Sequence, residues 1–522
     1  MQGRLLFLIA ILIGFFSYII FFLGIASQIN RLSIGIVLLS LFFIIAFSML
    51  KHSESVKSLF IQAKKNSFYF TVFLLLLLGN FIGVLGPELG FDALWYHLLI
   101  PKLYIEKGSI EFISGGLLYY SAMPKLIDLL YVPALMFSNE ISAKLIHFLF
   151  GILTTIVTYK TANLFVNKRL SYLAAIIFYS NLVVGWLSIT AYIDLGRAFF
   201  ASLSIYFFLL YYRLKDIKYL YFSAILVGFE IASKFLGIST LGSLVLVFLI
   251  FPNKLNFISK LKKSLILVII PLIIISPWLV FSYINTGNLF YPFFTETYPS
   301  GVSFSSFNPI LIIKNTFNLL LFSADPISPI YLISLPLIIF LYTKMPNELK
   351  LTVFILIINI LIWNLIPQKN SRFIVPYLPI FSVLIVWIIS KSVPAIRNIL
   401  YLFIFLVVFS NIIYRGVANM KYLPFIFGNE SKEKFLEKNL NFDFGDYIDK
   451  GGKVSEIVEN EKVLIKGIHN LYYVDFKYDH ESWIREKDYR YILSREALLT
   501  ENDYNLVYQD SLTNTYLYEK NK

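Results

Sequence analysis

The chain reads as an α-helical polytopic membrane protein of about thirteen transmembrane helices carrying a small C-terminal α/β domain outside the cytoplasm. Three observations support this. Hydrophobic residues make up 58% of the 522-residue sequence, 18% are aromatic, and mean hydropathy is +0.72. Apolar runs of about 17 to 25 residues recur as far as Arg415, the length a helix needs to cross a bilayer. Beyond Arg415 charge density rises and short alternating stretches replace the long runs.

Spans are expected near 4–25, 33–50, 68–86, 141–165, 170–188, 196–212, 219–235, 237–251, 264–284, 328–343, 351–366, 373–390 and 398–414. The first follows a lone Arg4, is too long for a signal-peptide core and lacks a small-x-small cleavage site, so it reads as a retained anchor. Apolar stretches at 124–137 and 310–322 are shorter and flanked by prolines, which suits juxtamembrane or re-entrant helices. With the N-terminus inside, the basic loops Lys51 to Lys65, Lys168-Arg169, Arg213 to Lys218, Lys254 to Lys263, Lys344 to Lys350 and Lys391 to Arg397 face the cytoplasm. Long loops at 87–140 and 285–327 then face outward.

Residues 1–415 hold 30 Lys and Arg against 13 Asp and Glu, whereas the tail from Gly416 holds 15 against 19. The formal excess of +13 thus belongs to membrane topology and calls for no nucleic acid. The chain has no cysteine, which excludes disulfides, thiol nucleophiles and Cys-based metal sites. In the tail, Lys462 to Lys466, Leu471 to Asp475 and Thr515 to Tyr518 alternate as strands do. The organisation is therefore 1–67, two helices and a cytoplasmic loop; 68–415, the main membrane domain; and 416–522, the outer domain.

With carboxylates this scarce, Glu88 and Asp92 at the exit of the third span are the leading candidates for chemistry, a general base and its partner or metal-binding acids. Four residues apart, they share a face if the segment is helical. Trp95, Tyr96 and His97 follow at once; an interfacial aromatic belt also places such residues there. Asp194 lies in the second outer connection with Arg197 as its i+3 neighbour, so a helix-start ion pair competes with a role in the site. Glu230 and Lys234, one turn apart in an apolar stretch, invite mutual pairing; alternatively Lys234 neutralises a phosphate. Arg372, at the outer start of a span, offers a planar fork for the same purpose. Lys102 and Lys125, each beside a proline in the first outer loop, are outward lysines that could meet a lipid phosphate or ordinary headgroups.

These fragments have an order. Phe91 through Tyr104, Ala191-Tyr-Ile-Asp194, Ala232-Ser-Lys234, Pro277-Trp278, Tyr283 through Phe293 and Ser371-Arg372 through Pro379 together resemble the GT-C superfamily of polyprenyl-phosphate-dependent membrane glycosyltransferases, in the branch of aminoarabinose transferases and protein O-mannosyltransferases. The resemblance implies a sugar donor on polyprenyl phosphate and an extracytoplasmic acceptor that is a lipid, a glycan or a protein. It makes Asp92 the base or metal-site residue, Asp194 the second acid, and Lys234 and Arg372 the cations facing the carrier phosphate, with Lys102 and Lys125 as further phosphate contacts and Tyr96, His97 and Arg197 on the substrate. A multi-pass protein of the inner membrane follows, with a divalent ion at Glu88, Asp92 and Asp194 as an open option. Glu88 and Asp92, spaced by four, depart from the Asp-x-Asp or Asp-Glu pair of the superfamily. A transporter or flippase, and a scaffold that displays the tail, are the competing classes; the absence of inverted repeats or paired broken helices argues against transport.

Overall fold

The computed structural model describes residues 3–51, 67–251, 256–295, 308–323, 327–366, 369–483, 488–497 and 503–521. Most of the Lys51 to Lys65 loop, Lys254 and part of the 285–327 loop lie outside the described residues. Among the described residues seven helices are long and apolar enough to cross a membrane: Arg4–Ile25, Glu140–Ala162, Asp194–Leu214, Phe257–Thr286, Asn347–Leu365, Ser371–Lys391 and Pro394–Ile426. Each coincides with an expected span. The remaining expected spans correspond to shorter apolar helices or, at 170–188, to two pieces, Lys168–Tyr179 and Leu182–Leu187. Asn181 makes that break. Its amide nitrogen donates to the carbonyls of Ile177 (2.9 Å) and Phe178 (2.7 Å), and its oxygen accepts the Ser328 N–H at 3.1 Å. Backbone groups freed by a helix end inside a membrane domain need such partners.

Asp194–Leu214 is the centre of the bundle. Its apolar residues surround the whole helix, and the membrane-length window is buried throughout, as expected of a helix without a polar face. Glu140–Ala162 packs along one side of it and Lys218–Ser233 along another. The two N-terminal helices form a hairpin clasped to the first outer loop: Ile29 N–H donates to the Gly108 carbonyl at 2.9 Å and Ile110 N–H to the Gly24 carbonyl at 3.0 Å. Gly24 permits this approach, because a Cβ there would lie 2.3 Å from Ile110 Cγ1. The stretch at 124–137 is a tight turn followed by the short helix Tyr131–Phe137. The stretch at 310–322 is the short helix Pro309–Leu321, whose Asn315 bonds Asn364 at 3.1 Å near the end of Asn347–Leu365.

Downstream, five short strands among the described residues form one mixed sheet: β1 Val463–Lys466, β2 Tyr478–His480, β3 Tyr491–Ser494, β4 Tyr504–Asp510 and β5 Thr515–Lys520. Their order is β2-β1-β3-β5-β4. β1 runs parallel to β2 and β3, while β5 pairs antiparallel with both β3 and β4. Two of the three expected strands appear as β1 and β5. The third, Leu471 to Asp475, is irregular, and its main chain is committed elsewhere. The Tyr472 and Val474 carbonyls accept from the Lys102 ammonium at 3.0 and 2.6 Å, and the Tyr473 hydroxyl donates to the Glu88 carbonyl at 2.9 Å. This segment docks the sheet domain onto the first outer loop.

Candidate active site

Asp92 opens the helical part of the first outer loop. Ala93–His97 is a single π-helical turn closed by Leu98 N–H to the Ala93 carbonyl at 2.9 Å, a widened turn found often at functional sites. The α-helix Leu99–Lys107 continues it and ends on Gly108, whose φ of 72° is the left-handed conformation a glycine accepts freely. The Tyr96 hydroxyl, one turn beyond Asp92, donates to Asp92 Oδ2 at 3.0 Å. Arg372 Nη1 meets the same oxygen at 2.6 Å, and both side chains are 13% exposed. Tyr192, from the second outer connection, accepts the Asp92 N–H at 3.1 Å and lays its ring 5.2 Å from the Arg372 guanidinium. Burial pushes the Tyr96 and Tyr192 hydroxyls well above their ordinary pKa, with Asp92 adding to the shift, so both stay neutral.

Beside this pair stands a second. Asp194 Oδ1 lies 3.1 Å from Lys234 Nζ, with Lys234 at 17% exposure and Asp194 at 1%. Lys234 Nζ also sits 4.8 Å from the Phe373 ring centroid. Arg372 and Lys234 thus flank Phe373 and each faces an acid from a different outer loop. Among the described residues, Arg372 Nε and Asp194 Oδ2 are buried without a hydrogen-bond partner. The site therefore keeps one donor and one acceptor unspent.

The ion pairs anticipated within single helices do not form. Arg197 Nε bonds Glu230 Oε1 at 3.2 Å instead of Asp194, and Lys234 reaches Asp194 instead of Glu230. The exchange has a backbone cause. Helix Lys218–Ser233 ends at Lys234, whose φ of −161° and ψ of 129° are extended, so its side chain leaves the face that carries Glu230. Arg197 is fully buried, and its remaining donors go to the Phe373 and Leu236 carbonyls, both at 3.2 Å. It holds the segments that present Arg372 and Lys234 and does not itself open onto the pair of acids.

Glu88 is also placed differently from a partner on the face of Asp92. The helix does not reach back to it: residues 87–90 are non-helical. Its carboxylate folds onto the Leu89 and Gly90 N–H groups at 2.9 and 2.6 Å, while its other oxygen accepts the Ala191 N–H at 2.6 Å. Burial pushes its pKa up, whereas Lys144 and the three amides pull it back. Glu88 ties the first outer loop to the second. Lys144, which sequence reasoning passed over, caps the preceding turn by donating to the Gly83, Gly86 and Pro87 carbonyls at 2.9, 2.7 and 3.2 Å.

His97, Lys125 and Asp128 form a buried triad behind the Tyr96 ring. His97 Nδ1 is 2.7 Å from Asp128 Oδ1 and Lys125 Nζ is 3.2 Å from Asp128 Oδ2. Burial lowers the Lys125 pKa; for Asp128 the upward pull of burial is outweighed by Lys125 and His97, which hold it below the ordinary carboxylate range. Lys125 Nζ lies 5.8 Å from the Tyr96 ring centroid, whose other neighbour is Tyr120, stacked at 3.9 Å. The triad supports Tyr96 from below. Asp128 was legible only as the i+3 partner of Lys125. Lys102 is not brought to Asp92; it belongs to the docking of the sheet domain.

The three acids offered as metal ligands are separately engaged: Glu88 by amides, Asp92 by Arg372 and Asp194 by Lys234. Among the described residues no three His, Asp or Glu side chains converge. This donor set does not fit a divalent ion, and no chemical step is derived through one.

Comparisons with known proteins bear on the fold that holds these residues. Residues 129–281 match the family model described as dolichyl-phosphate-mannose-protein mannosyltransferase. No curated protein sequence matches the chain. The solved structure of ArnT from Cupriavidus metallidurans bound to undecaprenyl phosphate superposes with a TM-score of 0.62 at 11% identity, covering 87% of this chain and 98% of that one. The apo form of the same protein gives 0.60 at 13% identity with the same coverage. The chain has the fold of that ArnT, with seven candidate membrane spans among the described residues and a small C-terminal sheet domain.

Proposed function

We propose that this GT-C-fold chain is a membrane glycosyltransferase that moves a sugar from a polyprenyl-phosphate carrier to an acceptor on the extracytoplasmic side of the inner membrane. The observation that carries the reading is the facing of two acids, Asp92 and Asp194, by two cations, Arg372 and Lys234, where the two outer loops meet. The likeness to an ArnT solved with undecaprenyl phosphate and the match to a family that uses dolichyl-phosphate mannose support the donor class.

In the reaction, the acceptor hydroxyl or amine gives its proton to the Asp92 carboxylate as its oxygen or nitrogen attacks the anomeric carbon. The bond from that carbon to the phosphate oxygen breaks, and its electron pair leaves with the polyprenyl phosphate. Arg372 and Lys234 stabilise the charge that develops on the leaving phosphate, in a partly dehydrated site where such interactions gain strength. A single displacement inverts the anomeric centre. Tyr96 orients Asp92, Tyr192 seats Arg372, and Asp194 holds Lys234 until the phosphate arrives.

The test is mass spectrometry of glycolipids, glycoproteins, envelope glycans and lipid-linked sugars from a deletion strain complemented with wild type or Asp92→Asn. One sugar increment should vanish on deletion, return with wild type and stay absent with Asp92→Asn. Full restoration by Asp92→Asn at equal protein level removes Asp92 as the base. If no covalent product changes on deletion, the transferase reading itself fails and substrate movement becomes the question.

A further inference from the structure

Helix Leu99–Lys107 leads directly away from the Asp92 turn and forms one wall of two clefts. The opposite wall is the 472–479 segment of the sheet domain. One cleft, of about 640 Å³, runs toward Ser138 and Lys432; the other, of about 480 Å³, runs toward Lys462 and Trp483. They share Lys102, Glu106 and Asp475. Together they make one groove along the helix, bridged where Lys102 reaches Tyr472 and Val474. Each half falls within the volume of sites that enclose small-molecule ligands.

The lining decides what fits. The two lysines of the larger half are already spent, Lys102 on two carbonyls and Lys432 on the buried Glu140 at 2.6 Å. Glu106 has no hydrogen-bond partner among the described residues, and Asp475 is 85% exposed with only a 3.8 Å contact to Lys102. The unspent groups are therefore acceptors, which disfavours phosphates and other anions. In the smaller half Lys102, Lys107, Lys462 and Lys477 balance Glu106, Glu111, Asp475 and Asp479; in the larger half Glu433 and Asp449 are taken up by the Gly451, Val454 and Ser455 N–H groups, so a cation would find only Glu106 and Asp475. Tyr472 and Tyr473 in one half and Tyr478 and Trp483 in the other add aromatic surface. Carboxylate acceptors interleaved with aromatic rings suit a neutral ligand that has many hydroxyl donors and apolar C–H faces. A lipid tail would leave the charged lining unsolvated.

We infer that this groove binds a neutral oligosaccharide chain, the part of the acceptor remote from the transferred sugar, so that the acceptor is a glycan. The inference rests on the transferase reading. The groove lies close to the site because the Tyr473 ring lines it while the Tyr473 hydroxyl holds the Glu88 carbonyl, four residues before Asp92. Its two halves predict affinity that rises with chain length until both are filled. Glu106 and Asp475 then act as specificity residues and not as catalytic ones.

The experiment measures binding of fluorescently labelled linear neutral hexose oligosaccharides of increasing length to the full chain in nanodiscs, with sulfated oligosaccharides as anionic controls. Wild type should bind the neutral series with affinity rising with length, and Glu106→Ala/Asp475→Ala should bind at least tenfold more weakly. Both substituted residues face solvent, and an unchanged melting temperature verifies that the variant is folded. No neutral binding by wild type at millimolar concentration, equal binding by the double variant, or preference for the sulfated series overturns the inference. Because binding is read without transfer, failure of Asp92 as the base leaves this result independent.

Discussion

Glu88→Gln separates a structural tie from a chemical role at the most buried acid of the outer loops. The wild-type carboxylate accepts three backbone N–H groups, two on one oxygen and one on the other. An amide has only one acceptor oxygen. In its better orientation the substituted side chain keeps the Leu89 and Gly90 bonds and turns its NH2 against the Ala191 N–H, so one charge-assisted bond is lost and a buried donor is left unpaired. Such a loss costs about 1–3 kcal/mol. Lys144, which the Glu88 charge helps to stabilise in its buried position, adds to the cost in the same direction. Thermal unfolding of the purified protein in detergent, followed by intrinsic fluorescence, should show a clearly lower melting temperature. Transfer should fall only in part, with the residual activity rising as temperature is lowered. The reasoning is refuted if Glu88→Gln melts like wild type yet abolishes transfer, because Glu88 would then act on substrate or on a bound ion.

Four further outcomes follow from the geometry. Arg372→Lys keeps a charge but loses the planar fork that serves Asp92, so donor binding, read with a radiolabelled polyprenyl-phosphate sugar, should weaken by at least tenfold; wild-type affinity would remove Arg372 from the phosphate. Glu230→Gln leaves the buried Arg197 guanidinium short of its counter-charge, a loss of about 3–5 kcal/mol by the measure of broken buried pairs, and expression with a sharply reduced melting temperature is expected; a neutral result would show that the two carbonyls suffice for Arg197. Lys102→Met removes the bridge to Tyr472 and Val474, and limited proteolysis should release the residues beyond Gly416 faster than in wild type while the membrane part stays intact. His480 is buried in the sheet domain with its pKa pushed down to about 4 from 6.5 by burial. A histidine depressed on folding gives stability that is complete above pH 6.5 and lost as pH falls toward 4. Protection factors for amide exchange at β1 and β3, referred to the intrinsic rate at each pH, should therefore fall over that window in wild type and much less in His480→Gln; an equal fall in both would assign the pH dependence elsewhere.

Hydropathy made the bundle legible because a membrane writes its thickness into the length of apolar runs, and seven expected spans coincide with long helices. Composition likewise announced the sheet domain. What the sequence could not show is where backbone groups are spent. Leu471 to Asp475 alternates like a strand, yet two of its carbonyls serve Lys102, a residue some 370 positions earlier. Glu88 and Asp92 have helical spacing, but the helix starts only after Gly90, so the two acids part company. Asp92, Asp194, Lys234 and Arg372 stood out since charge is conspicuous in an apolar chain. Tyr192 and Tyr473 did not, because tyrosine is common at membrane interfaces and nothing in their spacing marks a hydroxyl that finds another loop.

Lys234 does more than carry a charge. Its extended backbone decides which acid each cation meets, sealing Arg197 with Glu230 in the interior and leaving Lys234 with Asp194 at the opening. Had the helix run one residue further, the same four side chains could have closed on themselves within their own helices. A protein with identical composition, charge and hydropathy would then keep Arg372 beside Phe373 but present no second cation there. The difference between the two pairings is wired at a single peptide unit, and a change there would be invisible to any count of residues.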